Sequence, residues 1–316
     1  MSLVFFDIEC ASVNKTEAKI CAFGYVVCDE NFNIIKNEDI LINPRGKFRL
    51  TDRKGDKGIV LPYDYDDFKK YPKFTKVYPY IKSLLENPEN VVCGHSTVND
   101  VKYLNLETRR FRLPSFNFRF TDSQLVYMAV KNDFSRQFGL EHIANDLGVE
   151  FTPHRAADDA YATMRIVQAM CAEKGCALSE LLDGLGILYG KIENYNITRP
   201  QSKGMRNYNR EKRAEKAARA KARILFFNNV SRKKSNKDGA LKGKIFTFAR
   251  TIENNTEISI PLVNTIYERG GKYSARLDEC DYYVCEESDD GVRSQSARKR
   301  EGVVVLTPDG LRELLK

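Results

Sequence analysis

Asp7 and Glu9 stand two residues apart in the apolar run LVFFDIEC near the start of the chain. On a strand, the two-residue side-chain period puts both carboxylates on the same sheet face. Two acids so placed repel each other and resist loss of water, so they call for a partner cation. A solvated sheet edge looks the same, and the pair alone does not decide. GHSTVNDVKYL sets Asp100 at the start of a helix after a strand ending near Gly94, where an acid either caps the helix or binds a metal. HRAADDAYATMRIV places His154 just before a helix, with Asp158 and Asp159 close behind, and either acid could be a ligand or a surface group. Together, four carboxylates and one imidazole arrive in the order and settings that a two-metal phosphodiesterase needs. Hard divalent cations take oxygen ligands, and a pair of them stabilises the attacking and leaving oxygens of an in-line displacement.

These residues must be carried by an α/β framework. LVFFDI (3–8), CAFGYVVC (21–28) and NIIKNEDILI (33–42) read as three strands, antiparallel because their connections are short. Phe74, Val77, Tyr78, Ile81, Leu84 and Leu85 recur at helical spacing, and VVCG (91–94) returns to strand. FRFTD is a further strand, with helices expected around 123–132, 139–147 and 156–172. This succession of strands and helices predicts a mixed sheet flanked by helices. Residues 191–242 are polar and basic, a linker whose centre, Arg210 to Arg223, reads as an exposed helix. From 243 to 316 an α/β pattern restarts: GKIFTFA, KYSA, DYYVC and GVVVL as strands, a helix from Ile258 to Arg269 ending at Gly270-Gly271, another near 291–300, and a last one from Pro308.

A chain of 316 residues suggests two domains, and 42% hydrophobic with 30% charged residues favours packed cores over disorder. The amino terminus lacks a basic segment and no run approaches the roughly 20 apolar residues of a membrane span, so a cytoplasmic location is expected. Eight cysteines without zinc-like spacing are expected to be reduced core residues. The net charge of +8 is uneven: Arg199 to Lys242 holds fifteen Lys or Arg against three acids. Such a segment suits phosphate-backbone contact.

Residues 1 to about 172 resemble the DEDDh 3′–5′ exonucleases, the group that includes the epsilon subunit of bacterial DNA polymerase III. The three motifs stand here as FDIE, HSTVND and HRAADD, with TDSQLVYMA and GLEHIANDLGV between the last two. The resemblance implies a ribonuclease H-like, mixed five-stranded sheet over residues 1–190 and two divalent ions, Mg2+ or Mn2+. It further implies that Asp7 bridges both ions, that Glu9 and Asp159 ligate the one that activates water, that Asp100 serves the other, and that His154 is the general base. A neutral imidazole with a pKa near 6.5 suits that role. Family spacing favours Asp159 over Asp158. Where many relatives have Thr-Gly after the first motif, this chain has Cys10, Ala11 and Ser12, and where many have His-Gly-Ile it has Lys57-Gly58-Ile59. Nucleotide contact is accordingly expected at Ile8, Cys10, Ala11, Lys57 and His95.

Residues 243–316 resemble a BRCT domain, notably that of bacterial NAD-dependent DNA ligases, in LKGKIFTF, ERGGKYSA, DYYVC, SARKREGVVVL and LRELL, with Leu311 or a neighbour where an aromatic is usual. This implies a small domain with a parallel four-stranded sheet that binds DNA ends, phosphopeptides or proteins, with Arg293 and Thr247 near any phosphate pocket. The expected activity is release of nucleoside monophosphates from DNA 3′ ends in repair, proofreading or end processing, with replication or repair proteins as partners. The alternatives are an exoribonuclease like oligoribonuclease or ribonuclease T, and a non-catalytic nucleic-acid or polymerase-binding scaffold.

Overall fold

The apolar run at the amino terminus forms strand β1 (Ser2–Val13). Leu3 and Phe5 face one hydrophobic cluster, while Val4, Phe6, Ile8 and Cys10 face another. A strand covered on both faces reads as a continuous apolar run, and the two acids interrupt it on the Leu3 and Phe5 side. The computed structural model describes residues 2–48, 61–150, 152 and 155–316.

β2 (Ala18–Cys28) pairs antiparallel with β1, and β3 (Ile34–Leu41) antiparallel with β2. β4 (Asn90–Gly94) and β5 (Phe118–Asp122) then add in parallel on the other side of β1. α1 (Phe74–Leu85) and α2 (Val98–Arg110) cover one face; Phe74, Tyr78 and Ile81 pack there with Val101 and Leu104. The other face is covered by α3 (Ser123–Val130), α4 (Leu140–Asp146), α5 (Ala156–Lys174) and α6 (Leu178–Gly184).

The sheet has seven strands rather than the expected five. β6 (Gly190–Glu193) and β7 (Asn196–Thr198) extend it in the order β3-β2-β1-β4-β5-β6-β7. They form a hairpin through Asn194 and Tyr195, both at positive φ (49° and 62°), as a two-residue turn of this twist requires. Tyr195 tolerates that backbone because its hydroxyl donates to Leu113 O at 2.6 Å, its N–H donates to Ser115 Oγ at 2.8 Å, and Arg109 stacks on its ring. These partners are distant in sequence, so a segment that reads as the start of a polar linker is strand instead.

α7 (Lys203–Ser231) is longer than the Arg210–Arg223 helix expected. The chain divides into two compact units between Asn209 and Arg210, within this helix. Residues 211–220 are exposed on every side, yet Phe226, six residues on, is fully buried against Phe248 and Tyr273 in the core of the second unit. Part of the segment 191–242, read as a linker, thus belongs to the second core.

That unit holds a parallel four-stranded sheet, β8 (Ile245–Phe248), β9 (Lys272–Tyr273), β10 (Tyr282–Val284) and β11 (Val304–Leu306), in the order β11-β10-β8-β9. The helices are α8 (Arg250–Glu253), α9 (Thr256–Glu268), α10 (Val292–Arg298) and α11 (Pro308–Leu314). Gly270 (φ 92°) makes the turn out of α9, and Leu311 is fully buried. All eight cysteines are free, and only Cys176 is not buried. Among the described residues no helix is long and apolar enough to cross a membrane.

Candidate active site

Asp7 lies on β1 opposite Gly24 of β2, in register. A Cβ at Gly24 would lie 2.0 Å from the carbonyl carbon of Ala156, so the first turn of α5 rests directly on the sheet at this glycine. That contact delivers Asp159, in the first turn of α5, to the acids of β1. Ligand oxygens of Asp7, Glu9 and Asp159 all lie within 4.8 Å of one another. β1 shifts register on either side of Cys10, just past Glu9.

Asp100 enters from the first turn of α2 and is 5% exposed. Its charge acts on Asp7 more strongly than that of any other acid, so its carboxylate lies beside β1. Burial pushes Asp7 well above the usual carboxylate range, and the charges of Asp100, Glu9, Asp159 and Asp39 push it further. Burial and then Asp159 and Asp39 raise Glu9 to about 8. Asp100 is likewise raised by burial and by Asp122 and Glu9. Carboxylates that resist ionising together have the chemistry of a cation cage: hard oxygens, excess negative charge and little water. The donor set therefore fits divalent ions.

His154 and Lys57 lie outside the described residues. The side chains of Ile8, Cys10 and Ala11 are buried in the core, which leaves only main-chain atoms for a nucleotide contact there. His95 is half-buried, its Nδ1 3.0 Å from Ser123 Oγ and its Nε2 shielded without a partner; burial lowers its pKa to about 4, so the ring is neutral at pH 7. Asp158, the alternative acid, is outside the cluster.

Sequence reasoning missed Asp122, at the end of β5. Its carboxylate accepts from the N–H groups of Ser96 (3.1 Å), Thr97 (3.0 Å) and Gln124 (3.0 Å). It thereby caps α3 and holds the turn that leads to Asp100, a turn in which Ser96 takes the left-handed φ of 54°. Burial raises Asp122 to about 6 despite these donors. The Thr-Asp-Ser before an apolar helix was the available signal.

A family model described as Exonuclease matches residues 4–167, just over half of the chain. The chain belongs to the exonuclease family. It is therefore a nuclease, a hydrolase of phosphodiester bonds. This exonuclease is similar to a 3′-exonuclease described for 3′-end specific recognition of a histone mRNA stem-loop, at 15% identity over 62% of this chain and 69% of that one, TM-score 0.48. It is similar to the nuclease domain of 3′hExo, described as a DEDDh family member bound to rAMP: 18% identity, 55% of this chain and 92% of that one, TM-score 0.45. E. coli exonuclease I in complex with a dT13 oligonucleotide aligns at 20% identity over 58% of this chain and 43% of that one, TM-score 0.44. No curated protein matches the exonuclease in sequence.

In the second unit, Thr247 and Arg293 are committed to internal partners. Thr247 is buried and donates to Ser274 O at 2.8 Å; Arg293 meets the fully buried Glu253 at 3.3 Å and also donates to Ala275 O. Arg250 and the Tyr273 hydroxyl, at 2.7 Å, hold the same glutamate.

Proposed function

We propose that the enzyme is a DEDDh-type 3′–5′ exonuclease that releases nucleoside monophosphates from DNA 3′ ends. The observation that carries this reading is the gathering of Asp7, Glu9 and Asp159 within 4.8 Å, with the buried Asp100 close enough for its charge to act on Asp7. These four residues would hold two divalent ions, Mg2+ or Mn2+, which supply charge stabilisation to the attacking and leaving oxygens. Asp7 sits centrally, since the charges of all three other acids act on it. His154 takes the proton of the attacking water; it stands five residues before Asp159 in the sequence. Main-chain atoms of Ile8, Cys10 and Ala11, with Lys57 and His95, meet the terminal nucleotide.

DNA is preferred to RNA on account of the second unit, read as a BRCT-like domain that docks DNA ends or repair and replication proteins. Its parallel four-stranded sheet and its glycine turn at Gly270 support that reading. The exposed basic face of α7 adds nonspecific phosphate contacts, so binding weakens steeply with salt.

Incubation of the full chain with 3′-labelled and 5′-labelled DNA and RNA oligomers, with and without chelator, tests this. Expected are mononucleotides released from 3′ label and stepwise shortening of 5′-labelled DNA, both stopped by chelator. Faster loss of RNA would reverse the substrate, and no ion-dependent turnover on any oligomer would favour a binding scaffold.

A further inference from the structure

Asp39 of β3 is in register with Gly24, which is itself in register with Asp7, so the three form one row across three strands on one sheet face. The start of α5 comes down on the middle of that row. On one side Asp7 joins the carboxylate cluster; on the other, Asp39 takes hold of the helix. Its Oδ2 accepts from the Tyr63 hydroxyl at 2.8 Å and from Arg155 Nε at 3.4 Å. The Tyr63 oxygen in turn accepts the Ala156 N–H at 3.2 Å.

Arg155 is the N-cap of α5 and offers no side-chain cap to the helix. The open N–H of the first helical residue is instead satisfied by a tyrosine 93 positions earlier, a cap supplied by tertiary structure. The Asp39 side chain is only 7% exposed, and its Oδ1 has no partner. A carboxylate kept dry beside a cluster of like charges is unfavourable by itself.

We infer that Asp39 and Tyr63 are positioning residues for hydrolysis, setting how α5 leaves the sheet and hence the reach of Asp159 toward Asp7 and Glu9. The inference rests on the exonuclease reading above. Neither residue belongs to a motif: Asp39 lies mid-strand in NIIKNEDILI, and Tyr63 lies in the long connection before α1.

The test is steady-state hydrolysis of a 3′-ended oligonucleotide by the full chain at saturating Mg2+ or Mn2+. The variants are Tyr63→Phe, Asp39→Leu, Asp39→Asn and the double variant Tyr63→Phe/Asp39→Leu. Misplacing a reacting group by a fraction of an ångström lowers turnover, so Tyr63→Phe and Asp39→Leu each reduce kcat on the order of tenfold while KM stays within about twofold. Asp39→Asn, which keeps an oxygen for the tyrosine, recovers most of the rate. The double variant is no slower than the worse single one, because both act through one chain of bonds. A lowered melting temperature with kcat per folded molecule unchanged would overturn the inference. So would additive losses, or a loss in Asp39→Leu without one in Tyr63→Phe, which would make Asp39 a charge or ligand rather than a clamp. Hydrogen exchange at the amides of Ala156 to Asp159 reads the clamp without turnover and speeds up in both single variants. If the unaltered chain cleaves nothing while that exchange change occurs, the exonuclease reading fails and the clamp stands.

Discussion

Each carboxylate of the cluster is individually ordinary, and its neighbours make it unusual. Asp7→Ala removes the charge on which four other acids converge, and ion-dependent cleavage should fall by more than about a hundredfold, beyond the loss typical of an outer ligand partner. His154→Ala should slow turnover by roughly 10²- to 10⁴-fold while the ion concentration for half-maximal activity stays put; equal loss of ion affinity would remove His154 from the base role. The raised Glu9 also makes a pH prediction. Its folded-state value, about 8 without ions, lies above the 4.5 of the free side chain. Between those values Glu9 holds more protons in the folded chain than in the unfolded one, so its contribution to ion-free stability is greatest below about 4.5 and declines as pH rises toward 8. Ions replace the proton, so the gain in melting temperature on adding Mg2+ or Mn2+ should be larger at about pH 8.5 than at about pH 5.5. Equal gains in scanning calorimetry would show that Glu9 is not a ligand.

At the scale of elements, the site depends on how closely α5 approaches β2. Gly24 has an ordinary extended backbone; its missing side chain matters because backbone of Ala156 occupies that space. Gly24→Ala should destabilise the first unit by about 3 kcal/mol, as overpacking does, and should blunt the ion-induced rise in melting temperature. Normal stability and ion response in this variant, measured by urea unfolding, would mean that α5 shifts without consequence. Strands β1 to β3 were legible from their β-branched and aromatic residues and helices α1 to α5 from helical patterns; β1, β2 and these helices bury their apolar residues in packed cores. The β6–β7 hairpin was not, since its turn is Asn-Tyr rather than a glycine pair and is held by Arg109, Leu113 and Ser115. Nor was α6, a seven-residue helix too short to show a period.

At the scale of the whole chain, the two units have separate cores, and the place of division decides how they can be parted. Residues 1–209 contain all four acids and His154, so a protein ending at Asn209 should cleave short oligomers at a rate within about twofold of the full chain. A cut at 242 is different, because it strands Phe226, Phe227 and Val230 without the core they pack against. That longer fragment should be the more aggregation-prone of the two, as light scattering would show. Loss of activity in the 1–209 fragment would show that catalysis needs the second unit.

The order of the acids, the strand and helix types that carry them and the basic character of the middle segment were all determined by sequence, because each is a local pattern of residue type and spacing. Tertiary structure alone decided that Asp122 steadies the turn before Asp100 and that Asp39 and Tyr63 grip the start of α5, while it brings into the cluster the Asp159 that family spacing already favoured over Asp158. Those facts depend on contacts between residues tens of positions apart, where a missing Cβ at Gly24 or a hydroxyl from a distant segment sets the distance.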